Sequence, residues 1–170
     1  GLIKAFSGFC EKVQSDCDLV VVGKQEGLRN FFDLSVHLQD KKCFERIRVL
    51  SNVTDEELAV IYSQAKALVF PSLYEGFGLP PIEAMTMKTP VIASNRASIP
   101  EICGNAAYYI DPEKPEEITE AMLLFFRNET ERQKYINYGM IQSEKYVWEK
   151  SAKFHENVFM KVANEDSCNS

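Results

Sequence analysis

No apolar run in the sequence approaches the roughly 20 residues needed to cross a bilayer. Positive charge is scarce as well. The 19 Lys and Arg face 25 Asp and Glu, for a net charge of -6, which argues against a nucleic-acid binder with a basic face. The five cysteines, Cys10, Cys17, Cys43, Cys103 and Cys168, include no Cys-x-x-Cys pair. They read as reduced thiols of a cytoplasmic protein, not as a zinc site or disulfide frame. Only two histidines occur, His37 and His155, both in expected helices, where surface or packing roles suffice. There is no internal repeat and no Pro- or Gly-rich linker, so 170 residues make one domain. The chain opens on Gly1-Leu-Ile-Lys-Ala-Phe6, already helix-like, and no secretory leader is expected at this end.

What remains is an alternation of helices and short apolar strands. Leu2, Ile3, Ala5, Phe6, Phe9 and Val13 fall at helical spacing over residues 1–14. Asp18-Leu-Val-Val-Val-Gly23 reads as a buried strand, followed by a helix over about 27–38 and a strand over 46–50. Thr54 and Glu57 have the spacing of a capping box, and the helix they open should turn Leu58, Ile61 and Ala65 inward. Strands are expected at 67–70, 90–94 and 106–110, with a short helix over 99–103 closed by Gly104. Helices over about 114–127, 129–145 and 149–163 complete the domain, 1–163, and 164–170 is a polar tail expected to be disordered. The apolar run Leu123 to Phe126 reads as core, and Glu113, Glu116, Glu117 and Glu120 as a solvated helix face. Strands each followed by a helix predict an α/β fold, a doubly wound parallel sheet with helices on both faces. Ligands of such sheets sit at the carboxyl ends of the strands, here the loops after Gly23, Leu50, Phe70 and Ser94.

The loop after Phe70 carries the chemistry. Gly76 and Gly78 allow close approach of the backbone and positive φ, and Pro80 and Pro81 suit a first helical turn. The N–H groups and dipole of that helix start could cradle a diphosphate. Glu75 before the turn and Glu83 in the helix's first turn cannot bind phosphate, but both can accept hydrogen bonds from sugar hydroxyls. Taken singly, each feature has a plainer account: Glu83 complementing the dipole, the glycines forming a turn.

The whole string removes that ambiguity. Leu68-Val-Phe-Pro-Ser-Leu-Tyr-Glu-Gly-Phe-Gly-Leu-Pro-Pro-Ile-Glu-Ala-Met85 resembles the signature of glycosyltransferase family 4, in which two glutamates bracket seven residues, here positions 76 to 82. The resemblance continues through Leu19-Val-Val-Val-Gly23, Val53-Thr-Asp-Glu-Glu-Leu58, Thr89-Pro-Val-Ile-Ala-Ser94, Ile99-Pro-Glu-Ile102, Ala106-Ala-Tyr-Tyr-Ile-Asp-Pro112 and Trp148 with its helix.

The resemblance implies the C-terminal, donor-binding, Rossmann-like half of a GT-B enzyme. On it, Glu75 would touch hydroxyls of the donor sugar near the reacting centre, as the catalytic residue. The N–H groups of Phe77, Gly78 and Leu79, with Gly76 beside them, would hold the diphosphate, and Glu83 the ribose. Val53 and Asp55 would line the base pocket, Asp55 having a helix cap as an equal alternative, and Gly23 with Lys24 closes another loop at the same edge. The reaction implied is retaining transfer of a sugar from a nucleotide diphosphate donor to a glycan or lipid-linked acceptor. GDP-mannose is favoured over a UDP-sugar. No Asp-x-Asp string is read as a metal site, and no metal or further cofactor is required.

Two parts of the family pattern lie outside the sequence. The family's domain begins with a strand and a loop carrying Arg and Lys for the diphosphate, whereas this chain starts at the following helix. Lys4 lies inside that helix and is no evident substitute. The absent strand would be central, so a gap is expected between strands 18–22 and 67–70, either filled from elsewhere or closed by rearrangement. The acceptor-binding half is absent too, and the chain alone is expected to have no transferase activity. Membrane contact would then be peripheral, at the inner face. The alternative function is a non-catalytic nucleotide-sugar-binding or scaffold module. A signalling receiver domain is dismissed, since only Asp16 and Asp18 lie near an early strand.

Overall fold

The computed structural model describes residues 1–13, 16–23 and 41–168. The helix expected over 27–38, Lys24 and His37 lie outside the described residues. The chain forms α1 (Leu2–Lys12), β1 (Leu19–Val22), α2 (Lys41–Phe44), β2 (Ile47–Leu50), α3 (Asp55–Gln64), β3 (Leu68–Phe70) and α4 (Leu79–Thr86). Then follow β4 (Val91–Ser94), α5 (Ile99–Cys103), a 3-10 turn (Gly104–Ala106), β5 (Ala107–Ile110), α6 (Pro115–Arg127), α7 (Glu129–Ser143) and α8 (Trp148–Cys168). The last helix thus runs past the boundary expected at 163, and 169–170 lie outside the described residues.

All strand pairs are parallel, but they form two sheets. β1 pairs with β2, Leu19 opposite Ile47, while β3, β4 and β5 form a separate sheet in that order. Residues 19–22 and 68–70, between which a gap was expected, are accordingly not hydrogen-bonded to each other.

The β4 side chains divide between the two faces of their sheet, as a period of two requires. Val91 and Ala93 join Tyr62, Ile82, Met85, Ile99, Ile102 and Cys103. Ile92 joins Ala5, Ile110, Ile118, Ala121 and Phe125. Beneath β1 and β2 lies a third cluster, Phe6, Phe9, Val13, Cys43 and Leu123, with Leu19 and Ile47 against it. Two helices therefore belong to both lower clusters. Ala5 and Phe6 of α1 diverge into different ones, as do Leu123 and Phe125 of α6. The pair is joined further by the Thr119 hydroxyl donating to the Ala5 carbonyl at 2.8 Å. Across its rim Lys4 pairs with Glu116 and Lys12 with Glu120, both exposed and so contributing little. The α1–α6 pair is the joint between the sheets.

One expectation needs correction. The inward residue of α3 is Tyr62, buried against α4; Leu58, Ile61 and Ala65 are only half-buried, because the sheet that would cover them is broken beside β3. The α8 helix has an apolar side of Trp148, Phe154, Val158, Phe159 and Val162, and every one of these side chains is exposed. Cys10 is half-buried, while burial pushes the Cys103 thiol up to about 11.

Candidate functional site

β3 stops at Pro71, and residues 71–78 form an irregular loop at its carboxyl end before α4 begins. Gly78 is the N-cap of α4 in the left-handed region, φ 107°. A Cβ there would lie 2.7 Å from Ile99 Cδ1, so both conformation and space demand glycine. Gly76 differs from the expectation: its φ is not positive, and a Cβ would meet nothing within 4 Å. Its freedom is unused by the protein, and the space beside it is open.

The first turn of α4 is unusual as a donor surface. A helix start leaves four backbone groups without an intrahelical partner, here those of Gly78, Leu79, Pro80 and Pro81. The prolines carry no N–H. The donors narrow to Gly78 and Leu79, with Phe77 preceding them, and among the described residues none of these three N–H groups has an acceptor.

Both glutamates are held by hydroxyls. Ser72 Oγ donates to Glu75 Oε1 at 2.9 Å, and Glu75 is half-buried. The Tyr62 hydroxyl donates to Glu83 Oε2 at 3.2 Å, reaching from α3 to α4. Burial first, then the Glu83 charge and this hydrogen bond, push the Tyr62 hydroxyl well above the ordinary tyrosine range, so it stays a donor. Glu83 lies beyond the first turn, counting from Leu79, which corrects its expected place. Dipole effects fade within that first turn. The plainer account of Glu83 as a dipole partner loses its support, and its exposed carboxylate faces solvent with one oxygen already fixed.

Val53 and Asp55 separate. An open concavity of about 590 Å³ at the carboxyl end of β2 is lined by Leu50, Asn52, Val53, Glu56, Glu57 and Val60 among others, and Asp55 is not part of it. Thr54 and Glu57 make the expected capping box without Asp55. Gly23 belongs to the two-stranded sheet, its N–H going to the Leu50 carbonyl at 3.1 Å. The cation nearest in sequence to the carboxyl end of β4, Arg96, is committed to Asp111 at 3.1 Å and Glu113 at 2.9 Å. The Glu113 N–H and that guanidinium hold the Asp111 carboxyl below its usual range. Asp16 and Asp18 do form an Asp-x-Asp string, at the amino end of β1, where Asp18 pairs with Arg48. Among the described residues no three side chains are grouped to hold a metal ion, and no helix is long and apolar enough to cross a membrane.

The profile of the family described as glycosyl transferases group 1 matches residues 1–142. The chain belongs to that family. It is 39% identical over 103 residues to O-antigen chain mannosyltransferase B of Escherichia coli, covering 61% of this chain and 27% of that protein. It is equally identical over 105 residues to O-antigen chain mannosyltransferase RfbU of Salmonella typhimurium, 61% of this chain and 29% of the relative. The chain thus spans less than a third of these curated relatives. Among solved structures, sucrose-phosphate synthase from Thermosynechococcus elongatus superposes with a TM-score of 0.80 over 96% of this chain and 43% of its own, at 23% identity. At that identity the likeness is one of fold.

Three residues of this site escaped the sequence reading: Ser72, Tyr62 and Ser98. Ser72 sits inside the motif string, three residues before its partner Glu75, whereas Tyr62 and Ser98 have partners on other elements and only their polar character as a signal. The two glycines make a paired prediction. Gly78→Ala should cost about 1–2 kcal/mol through its left-handed φ, lowering the melting temperature by several degrees, while Gly76→Ala should leave it unchanged. Thermal melts followed by circular dichroism check both.

Proposed function

We propose that this chain is the donor-binding domain, residues 1–163, of a retaining glycosyltransferase that uses a nucleotide diphosphate sugar. The observation that carries the reading is the unpaired N–H set of Phe77, Gly78 and Leu79, flanked by two glutamates whose carboxylates are already fixed by Ser72 and Tyr62. Backbone donors at a helix start suit a diphosphate, and carboxylates that accept on their remaining lone pairs suit sugar hydroxyls. Glu75 is then the catalytic residue, touching the donor sugar, and Glu83 takes the ribose. The open space at Gly76 admits the ligand, and the concavity bordered by Val53 takes the base. Gly23, whose N–H is bonded to the carbonyl of Leu50 in that lining, takes a supporting place, and Asp55, outside the lining, takes none.

The reacting bond lies between the anomeric carbon and a diphosphate oxygen, and charge develops on the leaving group. Pre-aimed N–H groups stabilise that charge without reorganising. The names of the two O-antigen mannosyltransferases support mannose as the sugar; the donor we favour is GDP-mannose, with a UDP-sugar as the rival. The acceptor is read as a glycan or lipid-linked glycan met through the rest of a longer protein, at the cytoplasmic face of a membrane. Arg96, the cation that follows β4, is engaged by Asp111 and Glu113, and the diphosphate is assigned to the N–H groups and the dipole of α4. Calorimetric titration with GDP, UDP, GDP-mannose and UDP-glucose tests the reading. Saturable binding that prefers one nucleotide supports it; no heat from any of the four at millimolar ligand overturns it.

A further inference from the structure

Ser98 precedes α5 at its N-cap, yet its side chain makes no capping bond. The hydroxyl is turned instead to the donor loop, 2.9 Å from the Glu75 carbonyl and 2.9 Å from the Phe77 carbonyl. A hydroxyl has one hydrogen, so it donates to either carbonyl in turn or to both in a shared bond. We infer that Ser98 is the positioning residue that aims the loop's backbone donors at the bound diphosphate, an inference that rests on the donor-site reading above.

The argument follows from the planarity of the peptide unit. In a trans peptide the carbonyl and the N–H of the next residue point in opposite directions. Drawing the Phe77 carbonyl inward to Ser98 therefore turns the Gly78 N–H outward. Drawing in the Glu75 carbonyl does the same for the Gly76 N–H. One side chain fixes two alternate peptide planes, of which one carries the Gly78 N–H, among the three donors assigned to the diphosphate, and the other adds the Gly76 N–H on the same side of the loop. The neighbouring residue completes the floor: Ile99, 1% exposed, lies directly beneath Gly78. On the outer side the Phe77 ring meets Tyr146 edge-to-face, centroids 5.7 Å apart, which holds residue 77 against the α7–α8 junction. Among the described residues the two carbonyls accept from no other group. Without Ser98 both planes are free to rotate, and the donors lose their common direction.

The test compares the chain with Ser98→Ala and Ser98→Thr, using GDP and UDP as probes and nitrogen-15 relaxation of the loop amides in the absence of ligand. Ser98→Ala should lower the order parameters of the Gly76 and Gly78 amides and weaken binding of the preferred nucleotide about tenfold. Ser98→Thr, which keeps the hydroxyl, should restore both. Equal order parameters in the wild type and Ser98→Ala overturn the inference. So does looser loop motion in Ser98→Ala with undiminished affinity. If the amides loosen but the wild type binds neither nucleotide, the fastening stands and the donor-site reading falls.

Discussion

Glu83→Ala is expected to weaken nucleoside diphosphate binding by about 10- to 100-fold. The estimate follows from hydrogen bonds to a charged group, about 1.5–3 kcal/mol, with 1.4 kcal/mol for each factor of ten. Glu83 is exposed and bonded only through Tyr62, so its loss should leave stability within about 0.5 kcal/mol. The effect should also depend on the ribose. Inorganic pyrophosphate, which has no hydroxyl for Glu83 to receive, should bind the variant and the wild type alike. Titration with GDP and with pyrophosphate reads both arms. Unchanged GDP affinity would remove Glu83 from the site, and a parallel loss of pyrophosphate would place it at the phosphates instead.

The second large effect concerns stability. Phe125→Ala should cost about 3–5 kcal/mol and lower the melting temperature by about 6–20 °C in a domain of this size. Phe125 is 2% exposed, with Tyr135 at 5.2 Å and Tyr108 at 5.9 Å between ring centroids. Its removal leaves a cavity that two aromatic neighbours, themselves in edge contact, cannot close. Denaturant titration measures the loss. A cost below about 1 kcal/mol would mean that the site collapses, contrary to the packing described.

Much of the fold was legible because parallel strands are short apolar runs and the intervening helices carry their own punctuation. The Thr54–Glu57 capping box, the Gly104 helix stop and Pro71 after β3 each act locally, within a few residues. The donor loop was legible for the same reason, since two glycines, two prolines and two glutamates fall within 75–83. What the glycines do was not legible. Gly78 has a positive φ at the helix start and Ile99 packed where a Cβ would go, while Gly76 has neither constraint. Tyr62 and Ser98 act across 21 and up to 23 positions of sequence, and no periodicity encodes such a pairing. The exposure of α8 was hidden for a related reason: its apolar stripe has the spacing of a buried helix, while among the described residues no element covers it.

A sheet shares stability along its ladder, so a break in the ladder divides how a protein comes apart. Among the described residues β1 and β2 exchange strand hydrogen bonds only with one another, while β4 is bonded on both sides. The two groups should open as separate cooperative units rather than together. Native-state hydrogen exchange should then show two classes of protected amide, those of Ile92 and Ala93 surviving to higher denaturant than those of Val20 and Val21. A single shared opening free energy would show instead that the α1–α6 joint couples the halves as tightly as a continuous sheet. In the expected case the half bearing the donor loop keeps its shape while the other half breathes, and the base concavity, lined in part by Leu50 of β2, loosens before the diphosphate site at Gly78.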